Sequence, residues 1–329
     1  LAYYLAIFAM VFGSTFGTFN AANATAINQS ATLVTAYAAD NDVVTFTAAT
    51  ATTTMAANDV FASGTTTSGT DTAWLIDGGN SLTISGAVTA TSGDSLAVTL
   101  ADTGTSLLIG EAWVLGGGTQ TISLTLGAGT DVTVTGADTH VWSIAGTAQG
   151  QGDLIVNDDS TFTPAVGGTD KDLNSITVIT GKTAIFSDTV RATTITSVGT
   201  STFNKGVAGN INTTGTVNYT QLATASNVGD ITEASGTTVV NVLSTVSGAG
   251  TVSTFTGSIT VDTVNIGSAT QGASAVVTGD ITTTAINILG GNADAEDNLL
   301  SAKGNVTGAI TLNDATGDAT LTLSGTSAQ

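Results

Sequence analysis

From Leu75 onward, apolar and polar residues alternate in short ladders. Leu82, Ile84 and Val88 form one, Leu96, Val98 and Leu100 a second, and Ile122, Leu124 and Leu126 a third. Val132 and Val134, Leu154 and Val156, Ile176 and Val178, Val217 and Tyr219, and Leu321 and Leu323 continue the series. A period of two turns every second side chain to one face of an extended strand, so each ladder predicts a strand buried on one side. Gly, Asn, Asp and Ser cluster between the ladders, and these residues close turns. With the ladders recurring about every ten residues, the pattern predicts an all-β chain. Thr, Val and Ile are stiff at χ1, which favours extended backbone over helix.

A longer repeat lies over this one. Gly-x-Ile occurs at Gly209, Gly229, Gly257, Gly279 and Gly308, with Ile-to-Ile intervals of 20, 28, 22 and 29 residues. Such periods are the signature of a solenoid. We expect a right-handed parallel β-solenoid with degenerate coils of 20 to 29 residues, each pairing with the next. At about 24 residues per coil and about 4.8 Å per rung, on the order of 12 rungs would make a rod roughly 55–60 Å long. Tandem β-sandwiches are the competing all-β architecture. One Pro (Pro164) and an aromatic content of 5% argue against them, because sandwich cores hold bulkier side chains.

Three segments follow from the pattern. Residues 75–329 carry the solenoid rhythm, which is still running at Leu321 and Leu323 and is expected to continue beyond the fragment. Residues 27–74 are rich in Ala and Thr, with Val43, Val44 and Phe46 as their clearest strand, and are read as an N-terminal cap or irregular first coils. Leu1 to Phe12 is an uninterrupted apolar run, followed by a small-residue stretch at Ala21–Ala26. That order matches a secretory leader cut inside its signal sequence, so residues 1–26 are expected to be removed on export. Twelve apolar residues are short for a membrane span, which takes about 20.

Composition narrows the function classes. With no Cys among 329 residues, disulfide frameworks, Cys-ligated zinc and thiol chemistry are excluded. The chain holds 25 Asp+Glu against 5 Lys+Arg, for a formal charge of −20. Such a chain repels nucleic acid, whose binders neutralise phosphates with positive charge. Lys and Arg first occur at Lys171, and that asymmetry marks a candidate subdomain boundary near Pro164. Hydrophobic residues at 41% are too many for a charge-expanded coil.

The phrases LTISGAVTA, GAGTDVTVTGAD, SVGTSTF and GNVTGAITL, in an acidic, Cys-free, Thr- and Gly-rich run, give the chain a recognisable texture. Over residues 75–329 it resembles the passenger regions of large Gram-negative autotransporter surface proteins of the rickettsial outer-membrane type. The resemblance is one of composition and repeat style. It implies a β-solenoid carried to the cell surface by a C-terminal β-barrel, with adhesion or surface coating as its role.

Candidate chemistry is sparse. His140 is the single histidine, lies in a strand-like stretch before Val141 and Trp142, and is read as structural or exposed. Gly181-Lys182-Thr183 has Ile176 where a phosphate-binding loop needs Gly, so it is read as a turn. Asp158 and Asp159 follow the Leu154–Val156 ladder, but glycoside hydrolysis needs two carboxyls about 5–9.5 Å apart, and neighbours in a strand face opposite ways. Arg191 is the single arginine available to lyase chemistry. No enzymatic role is expected. Asp294, Glu296 and Asp297, beside Asn298, form an oxygen-rich loop and are the candidate calcium ligands, with Asp40, Asn41 and Asp42 a smaller cluster. No cofactor is required, and calcium is the one candidate ligand. Trp74, Trp113 and Trp142, at spacings of 39 and 29, are expected in the core or cap rather than in a binding stripe.

The expected function is an exported, surface-displayed rod acting in adhesion or coating. Its partners would be a host or neighbouring-cell receptor or glycan, with self-association in reserve and membrane attachment only through a leader or a C-terminal barrel. A calcium-bridged surface-layer or sheath subunit is the alternative, and a polysaccharide-processing β-helix the third reading.

Overall fold

The computed structural model describes residues 24–27, 31–33, 42–46, 52–55, 59–66 and 72–325, the last stretch without 91–94, 117–120, 222, 244–251, 269–271, 290–297 and 314–317, and it describes side chains from residue 73 onward. The apolar run Leu1–Phe12 and the acidic loop Asp294–Asp297 lie outside the described residues. Ala24–Ile27 pairs in parallel with Asp42–Phe46, which pairs in turn with Asp59–Thr66.

The chain is an all-β parallel solenoid. Among the described residues every strand-to-strand pairing is parallel, and the one antiparallel contact is the bridge from Gly168 to Lys171. That arrangement overturns the β-sandwich alternative, which needs antiparallel neighbours. Each coil contributes to three sheets. The first runs through Thr72–Ile76, Leu96–Leu100, Ile122–Leu126 and Ser143–Gly146. It narrows to the bridges Ile144↔Val166↔Val190 and widens again through Val252–Phe255, Ser274–Val277 and Asn298–Ala302. Pro164 sits at this narrowing, outside any strand, where its missing N–H costs no ladder bond. Pairing continues through it from Ser160–Phe162 to Thr183–Phe186.

The second sheet carries the clearest repeat. Leu82, Leu107, Val132, Leu154, Ile176, Ile195, Ile211, Ile231, Ile259, Ile281 and Val306 are successive register partners, ten turns from Leu82 to Val306. All but Val306, which is partly buried, are fully buried, and an apolar side chain withdrawn from water is worth about 1.5–3 kcal/mol. Coil length is less regular than expected. It falls to 16 residues from Ile195 to Ile211 and rises to 28 from Ile231 to Ile259. The short coils arise where a strand bends through a corner without turn residues, as Val190–Ser197 does with a register shift between Arg191 and Thr194.

Four of the five Gly-x-Ile repeats form one corner ladder. A Cβ on Gly229 would stand 2.3 Å from the Gly209 carbonyl oxygen, on Gly257 2.1 Å from that of Gly229, and on Gly279 2.4 Å from that of Gly257. The fifth repeat is displaced. Ile281 pairs with Val306, and Ile310 pairs with Ile286 in the third sheet. Gly304-Asn305-Val306 takes the corner instead, with the Gly304 Cβ position 2.3 Å from the Gly279 oxygen.

The third sheet faces an aromatic column. Register partners His140, Phe162, Phe186, Phe203 and Tyr219 stack with centroids 5.0 to 5.6 Å apart, and Phe255 closes the column edge-on at 4.9 Å from Tyr219. Trp74, Trp113 and Trp142 are all buried, as core residues.

Candidate functional site

The interior is filled mostly by apolar side chains, and the outer faces and corners carry the solvent-facing polar groups. The second sheet presents two outward rows flanking its buried ladder. One row clamps the coils together. Asn210 Oδ1 accepts the Asp230 amide at 3.1 Å, Asp230 Oδ1 the Ser258 amide at 2.7 Å, Ser258 Oγ the Asp280 amide at 3.3 Å, and Asp280 Oδ1 the Asn305 amide at 2.8 Å. The x of Gly-x-Ile is therefore a small acceptor for a structural reason. Further toward the N-terminus the row continues as Asp153 and Asp131, partners one coil apart. Burial and then the Asp153 charge push the Asp131 carboxyl above its ordinary value. Asp153 is engaged by Asn174 Nδ2 at 2.8 Å and Ser175 Oγ at 2.6 Å.

The other row is free. Thr177, Thr196, Asn212, Thr232, Thr260, Thr282 and Thr307 are register partners over seven successive coils. The first two are half-buried and the rest exposed. None of the six hydroxyls has a protein partner among the described residues. Adjacent strands hold them at a repeat of about 4.8 Å.

The third sheet offers a contrast. Its outward Asn218, Asn241, Asn265 and Asn287 bond to one another, each Nδ2 donating to the preceding Oδ1 at 2.8 Å, and Asn218 Nδ2 donates to Thr202 Oγ1 at 3.2 Å. Those amides are consumed in holding coils together.

The acid candidates are also structural in their contacts. Asp158 is engaged by a lysine of the next coil. Its Oδ1 lies 2.6 Å from Lys182 Nζ, and this bond, with one from the Asp159 amide, holds the Asp158 carboxyl below its usual range. Asp159 Oδ1 accepts the Thr183 amide at 2.7 Å. Lys182 is thus an ion-pair partner in a turn. Asp138, which the sequence reading did not single out, lines a recess of about 480 Å³ with Asp159, Thr161, Thr183 and Ile185. It became visible only when folding stacked one turn on the next.

The candidate calcium loop is represented among the described residues by Asn298 alone. Asn298 is buried, with Oδ1 accepting the Ala273 amide at 2.5 Å and Nδ2 donating to the Leu289 carbonyl, so its side chain is committed to the interior. No group of three or more His, Asp or Glu suited to a metal occurs among the described residues. His140 is buried among rings, and burial pushes its pKa down to about 4 against the opposing pull of Asp138. Arg191 is half-buried and is the register partner of Ala208, next to Val190 of the first sheet. No helix among the described residues is long and apolar enough to cross a membrane.

No protein-family model, no curated protein and no solved structure matches the chain.

Proposed function

We propose that this chain is a display rod, exported and presented at a cell surface as an autotransporter passenger would be, acting without catalysis in adhesion or surface coating. The observation that supports this reading is the free threonine row of the second sheet. A rigid line of hydroxyls and methyls at the rung repeat suits a partner that repeats as well, and a neutral glycan on a host or neighbouring cell is such a partner. Each contact is weak, and simultaneous engagement along the row supplies the strength. The acidic surface, at a net charge of −20, disfavours anionic partners and keeps rods apart.

The test is retention of protein-coated beads on cells and on immobilised neutral glycans. A T196V/T232V/T260V/T282V variant removes four hydroxyls while keeping the β-branched shape. Retention by the wild-type chain and its loss in the variant, at unchanged circular dichroism, is the expected result. Equal retention by both would remove the row from the function, and no retention by either would remove adhesion.

A further inference from the structure

His140 heads the aromatic column and takes no part in the display surface. Its side chain is 0% exposed, and neither Nδ1 nor Nε2 has a hydrogen-bond partner among the described residues. The ring lies 5.1 Å from Trp142 and 5.0 Å from Phe162, centroid to centroid. Its backbone is firmly tied, because the carbonyl accepts both the amide and the hydroxyl of Thr163 at 3.0 Å. In the next three coils the same register position holds Phe162, Phe186 and Phe203. One slot of an otherwise Phe- and Tyr-filled column is therefore occupied by a side chain that can gain a proton.

A neutral imidazole fits among rings. An imidazolium there would present two N–H donors and a full charge with no acceptor inside the coil. The charged groups nearby sit on the outer side. Asp138 is two residues earlier in the chain and lines the outer recess with Asp159. The neighbouring strands Ser143–Gly146, Ser160–Phe162 and Thr183–Phe186 carry no titratable side chain. Asp153 of Asp153–Val156 faces outward, and Asp158 is occupied by Lys182.

We propose that His140 is an acid-sensitive latch, whose protonation opens the coil around it while coils further along the rod stay closed. A solenoid permits this because each coil touches only its neighbours, so opening need not spread. Trp142 and Phe162 can hold a cation against their faces, which opposes opening and sets how far it goes. In the opened coil the imidazole regains its ordinary value of 6.5, against about 4 when closed. Stability from the neutral ring is complete above pH 6.5. It falls as pH drops through the window, with the opening equilibrium rising about tenfold per pH unit, and levels off below about 4.

The experiment is amide hydrogen exchange on the whole chain from pH 7 to 4, expressed as protection relative to unfolded peptides so that intrinsic pH effects cancel. The Thr161 and Thr163 amides, which donate to the Asp138 and His140 carbonyls, should lose protection about tenfold per pH unit below 6.5, while the Asn204 amide in a later coil keeps it. H140F and H140L should abolish the slope. Equal slopes in wild type and variants, equal loss in all coils, or constant protection would each overturn the proposal. If neither variant folds, the single imidazole can be titrated by NMR in the wild type. A ring titrating near 6.5 without change at Thr163 overturns the latch, and a ring neutral below pH 5 while Thr163 opens supports it.

Discussion

Gly257 lies directly over Gly229, so close that a Cβ on Gly257 would stand 2.1 Å from the Gly229 carbonyl oxygen and 2.4 Å from its carbonyl carbon. The contact is backbone on backbone, and neither side has a flexible chain to move. Gly257→Ala therefore forces two coils apart at a corner where Ile231 and Ile259 are held in register. We expect a loss of about 1–3 kcal/mol, the usual range for forcing atoms into a packed site. Gly181→Ala is the control. Gly181 has a φ of +73° but open space around it, so the left-handed conformation alone costs about 1–2 kcal/mol. Urea unfolding checks both, and H–D exchange should place the Gly257 damage at the 231–259 corner and leave Gly181 damage in its own turn.

The asparagine row makes a second prediction. Asn241 donates to Asn218 and accepts from Asn265, each at 2.8 Å, on a half-buried outer face. Asn241→Ala breaks both bonds and leaves its neighbours half satisfied. At about 0.5–1.5 kcal/mol per net hydrogen bond, a loss of about 1–3 kcal/mol in denaturant unfolding is expected. Thr232→Ala, in the free row, removes no hydrogen bond and should fall within about 0.5 kcal/mol of wild type.

The contrast between those two rows shows where sequence legibility ends. The inward ladders were plain, because Leu82, Leu124, Val132 and Ile176 alternate with polar residues whatever the coil length. Gly-x-Ile was legible as a repeat, but its fifth member, at Gly308, lies off the corner that the other four share. Gly304-Asn305-Val306 satisfies the same sterics with Val in place of Ile, so matching on Ile alone passed over it. The aromatic column was not legible. Phe162, Phe186, Phe203 and Tyr219 are separated by unequal intervals because successive coils differ in length, and only the register aligns them. The outer rows were hidden for a related reason. Thr and Asn are scattered throughout the chain, and which of them bond to one another depends on which coil lies beside which. Asp158 and Asp159 drew attention as neighbours in sequence, whereas the partners that matter, Lys182 and Thr183, are one coil away.

The aromatic column carries the third prediction. Phe186 stacks on Phe162 at 5.2 Å and on Phe203 at 5.3 Å, both pairs within 12° of parallel, and is 1% exposed. Phe186→Ala opens a cavity in mid-column and should cost about 3–5 kcal/mol. Phe186→Leu keeps most of the volume and should cost less than half as much. The pair separates lost volume from lost stacking in thermal or urea unfolding.

The last prediction concerns the corner ion pair. Hydrogen bonding from Lys182 lowers the Asp158 pKa, and the same bond raises that of Lys182. For a carboxylate with a depressed folded value, the stability is present above the unfolded value and is lost as pH falls through the folded one. For the lysine with a raised folded value, it is present below the ordinary 10.5 and is lost as pH rises through the folded value. The contribution is thus a plateau between the two ordinary values, falling away at both ends. Because the pair is exposed to solvent, salt should flatten the plateau as well. A double-mutant cycle with D158N and K182M, measured by urea unfolding at pH 7 in low and high salt and again at pH 3, should give a coupling that is favourable at pH 7, smaller in high salt and smallest at pH 3. A coupling unchanged by salt and pH would mean that the turn geometry, and not the charge pair, joins residues 158 and 182.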